Sequence, residues 1–166
     1  MKIQSISSII FNGKPSNYGK IDEHVSRSAQ PQKEDLTWLK EQGITDVINF
    51  RTMYSSGIDF NERQVVKDLG MNYHNIPSIT HLPLGKNIAY FLKLVEKISQ
   101  KGGKVHIHCK AGADRTGMYA FIYKSIKGIG TMAENESEWI RRGHNRKLYP
   151  NLMSWTKNFL QNYKSK

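Results

Sequence analysis

The stretch Lys104-Val-His-Ile-His-Cys-Lys-Ala-Gly-Ala-Asp-Arg-Thr-Gly117 decides how the rest of this chain is read. Val105 and Ile107 alternate with His106 and His108, which is the period of a strand. Gly112 breaks the alternation, and apolar residues resume at helical spacing from Met118 through Phe121, Ile122 and Ile126. The pattern predicts a strand, a tight loop from Lys110 to Arg115 and a helix, with Cys109 at the carboxyl end of the strand.

Outward from that unit, similar patterns recur. Val25 to Ala29 reads as a short strand, and Asp35, Leu36, Trp38 and Leu39 open a helix that Gly43 closes. Val47-Ile48-Asn49-Phe50, within Ile44 to Phe50, suits a buried parallel strand. Phe60 to Leu69 predicts a second helix, and Asn72 to Ile76 a strand stopped by Pro77. Ser78 to Gly85 reads as loop, followed by a helical stripe of Ile88, Phe91, Leu92, Val95 and Ile98 that Gly102-Gly103 ends. Two helices are predicted after the Cys109 unit. One lies around Thr131 to Arg141, and one runs from Leu148 through Leu152, Trp155, Phe159 and Tyr163 with its apolar stripe in the core. Asn12 to Lys20, rich in Gly, Pro, Ser and Asn, reads as loop, within a loop-rich segment 1–20.

Strands alternating with helix-length crossovers predict an α/β fold, a mostly parallel central sheet flanked by helices on both faces. A chain of 166 residues suits one domain, 1–166, with a core that needs neither disulfide nor metal. Ligands of such sheets bind at the carboxyl ends of the strands, which is where Cys109 falls.

Hydrophobic residues make up 38% of the chain, enough to argue against extended disorder. The 25 Lys and Arg against 14 Asp and Glu give a formal charge of +11, a field that draws anionic partners but also suits a solvated basic surface. Cys109 is the only cysteine, so no intramolecular disulfide is possible. No run suits a membrane span. Serines interrupt the apolar start Met1 to Phe11 and no Ala-x-Ala-like site follows it, so the expected location is the cytoplasm.

A loop curling between a strand end and a helix N-terminus points successive N–H groups inward, as anion-binding nests do. The backbone of Lys110, Ala111, Gly112, Ala113 and Asp114 would line such a nest, Gly112 permitting the turn and the small alanines not obstructing it. Arg115, six residues after Cys109, offers a planar fork to two phosphate oxygens. The same field favours a thiolate at Cys109, with His108 hydrogen-bonding within the loop and Thr116 able to donate its hydroxyl to the sulfur as it leaves. His106-x-His108-Cys109 superficially suggests a metal cluster, but no second Cys or Asp/Glu pair completes a ligand set. No metal or other cofactor is expected, and His106 reads as structural.

His108-Cys-Lys-Ala-Gly-Ala-Asp-Arg-Thr116 resembles the active-site signature of the cysteine-dependent protein tyrosine phosphatases: His, Cys, five residues with Gly third, Arg, then Ser or Thr. Ser26-Arg-Ser-Ala-Gln-Pro31, a helix, and Gly43-Ile-Thr-Asp-Val-Ile-Asn-Phe-Arg51 resemble the start of the compact bacterial dual-specificity-phosphatase-like group. The resemblance implies phosphomonoester hydrolysis through a phosphocysteine on Cys109, stabilised by Arg115 and the loop amides, without a metal. It implies phosphoprotein, phosphoinositide or inositol-phosphate substrates, and since the basic charge shows no aromatic-basic interleaving of a nucleic-acid module, no stable nucleic-acid binding is expected. Lys110 after the cysteine occurs in some lipid- and inositol-phosphate-directed relatives.

One departure bears on the mechanism. Most members carry a general-acid Asp on a separate upstream loop, yet Ile76-Pro-Ser-Ile-Thr-His-Leu-Pro83 holds no carboxylate and none occurs between Asp68 and Glu96. Asp114 is the first replacement, either as acid or as an ion pair that positions a basic neighbour; Asp59 and His81 are the substitutes. Three functions stay open on these residues: a dual-specificity-type phosphatase, a phosphoinositide or inositol-phosphate phosphatase, and a phosphate-binding module with vestigial catalysis.

Overall fold

In a computed structural model that describes residues 13–53 and 56–164, eleven elements follow one another. They are β1 (Gly19–Lys20), β2 (Val25–Ser28), α1 (Lys33–Glu41), β3 (Asp46–Asn49), α2 (Glu62–Asp68), β4 (Asn72–Asn75), α3 (Gly85–Gln100), β5 (Val105–His108), α4 (Asp114–Lys127), α5 (Met132–Arg141) and α6 (Leu152–Lys164). The sheet runs β1-β2-β5-β3-β4. All neighbours are parallel except the short edge strand β1, which is antiparallel to β2. β5 is therefore central, with Ile107 opposite Arg27 on one side and Ile48 on the other.

Period-two alternation sorts the strand residues into two cores. Val25, Ile48, Val105 and Ile107 pack with Ile88, Phe91 and Val95 of α3, Met118 to Ile122 of α4, Trp139 of α5 and Leu160 of α6. Val47 faces the other way, joining Leu36 and Leu39 of α1 and Val66 of α2. Ile48 and Ile107 are fully buried, each contributing about 1.5–3 kcal/mol by leaving water. Helices on both faces of a mostly parallel sheet are the predicted architecture.

The departures from sequence expectation have local causes. Gly19–Lys20, within the predicted opening loop, is a strand because it completes the edge beside β2; residues 1–12 of that predicted loop lie outside the described residues. Gly85 starts α3 instead of ending the loop before it, and its missing side chain leaves room for Phe159, whose ring lies 3.2 Å from where a Cβ would stand. The final helix begins at Leu152 rather than Leu148, since Pro150 disfavours helical geometry at Tyr149. Leu148 and Tyr163 are exposed, so only the middle of that stripe packs in the core. The helix after Cys109 starts at Asp114, which puts Asp114 and Arg115 in its first turn rather than in the loop.

Candidate active site

Cys109 directly follows the central strand with only 2% of its surface exposed, and the loop from Lys110 to Ala113 leads into α4. The carbonyls of five successive residues around this turn are tied away from its centre. His108 Nδ1 lies 3.2 Å from the Cys109 oxygen, Gln30 N donates to Lys110 at 3.0 Å, and Asn17 Nδ2 to Ala111 at 3.1 Å. Arg27 Nη2 donates to Gly112 at 2.7 Å and Trp139 Nε1 to Ala113 at 3.0 Å. In a trans peptide the N–H lies opposite the C=O, so these tethers turn the following amides, Lys110 through Asp114, toward the centre. Among the described residues, the amides of Lys110, Ala111, Gly112 and Ala113 donate no hydrogen bond. They form an anion nest at a helix N-terminus.

Gly112 is needed in two ways. Its φ of +69° is left-handed, and a Cβ there would stand 2.5 Å from Ala29 N and Ser28 C. Gly112→Ala should therefore destabilise the protein by about 2–4 kcal/mol, from the left-handed penalty plus overlap with a fixed backbone. Urea unfolding measures it; a loss under about 0.5 kcal/mol would show that the loop does not need this backbone shape. Gly117 has a related role, since a side chain there would occupy the space of the Trp139 indole that reaches Ala113.

Two guanidinium groups, those of Arg51 and Arg27, act on Cys109, and a third, that of Arg115, lies beside Arg51. Arg115 is half-buried in the first turn of α4, with Nη1 3.5 Å from Phe50 O. Arg51, just beyond β3, is fixed through Gln30 Oε1 at 2.8 Å and the Ser56 carbonyl. Burial and the neighbouring Arg115 charge lower its pKa, while the charges of Glu62 and Cys109 oppose the shift. Arg27 on β2 is 98% buried, and burial followed by Arg142 brings its pKa down to about 10, against the pull of Glu138 and Cys109. Arg51 and Arg27 occur in the stretches quoted for the family resemblance but are not among the predicted site residues. The available signal for Arg27 is a charged residue alternating in step with Val25 on the buried face of a strand.

The remaining predicted residues are placed as follows. Thr116 Oγ1 is buried without a hydrogen-bond partner, so its proton is uncommitted. Lys110 is exposed, a rim lysine rather than a cation at the pocket floor. Asp114 Oδ1 accepts from His144 Nδ1 at 2.7 Å and Asn145 N at 2.9 Å, while Oδ2 carries no hydrogen bond among the described residues. Its bond to His144 docks the 143–147 turn against the first turn of α4, leaving Arg146 and Lys147 exposed nearby in sequence. Arg142 is committed elsewhere, to Glu138 and Asn17. Asp59 lines a cavity of about 660 Å³ between α2 and β4, and the His81 ring packs 4.8 Å from that of Tyr149. Neither bonds to the Cys109 loop.

His106 and His108 share one face of β5, their rings 6.5 Å apart. Ser28 Oγ gives its proton to Ala29 O, so it accepts from His106 Nε2 at 2.7 Å, and His106 Nδ1 accepts from Ser26 Oγ at 2.8 Å. Both nitrogens are thereby used within the protein. Burial, then the His108 charge, holds the pKa of His106 well below the usual histidine value. Glu62, absent from the sequence prediction, is buried at the N-terminus of α2 with Oε1 2.8 Å from His108 Nε2. An acidic residue in a first helical turn looks like an ordinary dipole partner in sequence.

A family model described as a polymorphic toxin system DSP-PTPase phosphatase matches residues 23–127. No curated protein matches the chain by sequence. Among solved structures, a DUF442 protein from Shewanella putrefaciens CN-32 superposes with a TM-score of 0.74 at 22% identity, covering 96% of each chain. TpbA of P. aeruginosa gives 0.72 at 16% identity, covering 91% of this chain and 92% of that one. The core catalytic domain of the PP-IP phosphatase SIW14 from S. cerevisiae gives 0.69 at 15% identity, covering 89% and 85%. At these identities the superpositions establish a shared fold. No described helix is long and apolar enough to cross a membrane.

Proposed function

We propose, from the premise that this chain belongs to the DSP-PTPase phosphatase family of polymorphic toxin systems, that it hydrolyses phosphomonoesters through a phosphocysteine on Cys109. Membership of that family makes it a phosphatase, and its substrates phosphorylated. The observation that carries the mechanism is the outward tethering of five successive carbonyls, which leaves the amides of the Cys109 loop converging on one point.

In the first step the Cys109 thiolate attacks phosphorus, and the S–P bond forms as the bond to the leaving oxygen breaks. The loop amides and the Arg115 fork hold the equatorial oxygens, whose charge they meet without reorganising. Asp114 Oδ2 gives its proton to the leaving oxygen. In the second step water attacks phosphorus, Asp114 takes up the water's proton, and the thiolate departs with the Thr116 hydroxyl donating to it. Rapid acid quench with a ³²P-labelled substrate should trap label on the wild-type chain in an amount that Cys109→Ser lacks. Turnover with no trapped label under conditions where the second step is slowed would count against the covalent route.

The Asp114 assignment has a clean test, because an asparagine can accept the same two hydrogen bonds from His144 and Asn145 through its amide oxygen. Asp114→Asn should lower kcat for alkyl phosphates by about 10²-fold or more, the range of lost general-acid catalysis. Aryl phosphates, whose leaving groups scarcely need a proton, should change little. Equal losses on both would assign Asp114 to holding the 143–147 turn.

For substrate class, the first reading is the dual-specificity protein phosphatase type; TpbA has been crystallised with pTyr. A second reading, an inositol-phosphate or phosphoinositide phosphatase, is supported by the docking of residues 141–147 through His144 and Asn145 on Asp114, a basic run whose exposed Arg146 and Lys147 are free to meet a further phosphate. SIW14, which shares the fold, is a PP-IP phosphatase. A release panel of phosphopeptides, inositol phosphates and phosphoinositides separates the two. A reducing cytoplasm suits a thiolate with no second cysteine to protect it.

A further inference from the structure

The buried pair of Glu62 and His108 takes no part in the steps above, yet the close approach of its two groups, 2.8 Å between His108 Nε2 and Glu62 Oε1, constrains the nucleophile. The His108 side chain is wholly buried and that of Glu62 is 3% exposed. His108 Nδ1 faces the Cys109 carbonyl at 3.2 Å, and a carbonyl only accepts, so Nδ1 carries a hydrogen. Nε2 lies 2.8 Å from Glu62 Oε1. That oxygen also accepts from Gln30 Nε2 at 3.0 Å, and Oε2 accepts from Asn49 Nδ2 at 2.9 Å. Burial opposes ionisation of Glu62, but the adjacent His108 and the bonds from Gln30 and Asn49 outweigh it and hold the carboxyl below the usual glutamate value. A carboxylate only accepts, so Nε2 carries a hydrogen as well.

We infer that Glu62 is a positioning residue for the nucleophile: its buried carboxylate keeps both nitrogens of His108 protonated against the Cys109 carbonyl, and that positive charge favours the Cys109 thiolate. The inference rests on the reading of Cys109 as nucleophile. Glu62 is the far end of the pair and His108 the near end, so the dipole points its positive pole at the sulfur's residue. The charges of Arg27 from β2 and Arg51 beyond β3 also act on Cys109, and Arg115 on α4 lies beside Arg51. Tyr73 of β4 stands behind Glu62 and stays neutral, burial and then the Glu62 charge having pushed its pKa up to about 12. His106, the next histidine along β5, is neutral.

Two measurements test this. In two-bond ¹H–¹⁵N spectra of the unmodified chain at pH 7, both His108 ring nitrogens should show protonated shifts; one unprotonated nitrogen would overturn the inference. For Glu62→Gln, the midpoint pH of Cys109 alkylation by iodoacetamide should rise by about one unit, which is about tenfold slower alkylation on the acid side. In a His108→Gln background the same change should give no further rise. An unmoved or lowered midpoint in the single variant, or a full additive rise in the double, would mean that Glu62 merely supports Gln30 and Asn49. Should Glu62→Gln not fold, the spectra decide alone. Failure of the nucleophile reading itself registers separately, as hydrolysis undiminished by Cys109→Ser.

Discussion

Cys109→Ser should lower hydrolysis of p-nitrophenyl phosphate by roughly 10⁴-fold or more, the scale on which loss of a nucleophile is felt. The reason is chemical rather than architectural. A thiol with an ordinary pKa near 8.5 can be brought to thiolate by a helix N-terminus and nearby cations, but a serine hydroxyl is far too weak an acid for the same field to ionise. None of the five carbonyl tethers involves the sulfur, and oxygen for sulfur is a small change at a site that is 2% exposed. The nest should therefore survive, and calorimetric titration with a phosphotyrosine peptide should find binding close to wild type. Equal turnover by the two proteins would place the nucleophile elsewhere.

Arg115→Lys should cost about 10²–10³-fold in kcat, the range found when one preorganised donor to a developing oxyanion is removed. Lysine keeps the charge but offers a point rather than a planar fork, and two phosphate oxygens can no longer be held in one plane. Neither neighbouring arginine can stand in. Arg51 is held by Gln30 and the Ser56 carbonyl, and Arg27 by the Gly112 carbonyl. The loss should fall more on kcat than on KM, because the fork is matched to the equatorial oxygens of the transition state. Steady-state kinetics with one aryl phosphate suffices. A kcat within about threefold of wild type would mean that the amides alone carry the charge.

Much of this was legible in the chain. The alternation of Val105 and Ile107 with His106 and His108 placed the central strand, and the one-residue offset of Val47 from Ile48 is the same alternation divided between two cores. Cys109, Gly112 and Arg115 share a short loop, so local spacing was enough to associate them. The His108 tether was legible as a bond within the loop, but the other four were not, because their donors come from Asn17, Arg27, Gln30 and Trp139, which no local period connects with the loop. Glu62 escaped for a similar reason: its partner is 46 positions away, and only the parallel pairing of β3 with β5 brings the two together. The start of the last helix was misjudged because Leu148 continues the apolar stripe while Pro150 interrupts the backbone.

The tethers also bear on when this site comes into being. The segment matched by the family, 23–127, contains the whole His108 to Thr116 signature. Asn17 and Trp139, which turn the carbonyls of Ala111 and Ala113, both lie outside it. On a ribosome, every atom of the loop is therefore made before the indole that adds a second bond to its last carbonyl, beside the one from Gly117 N, and the site is completed by α5 docking against Gly117.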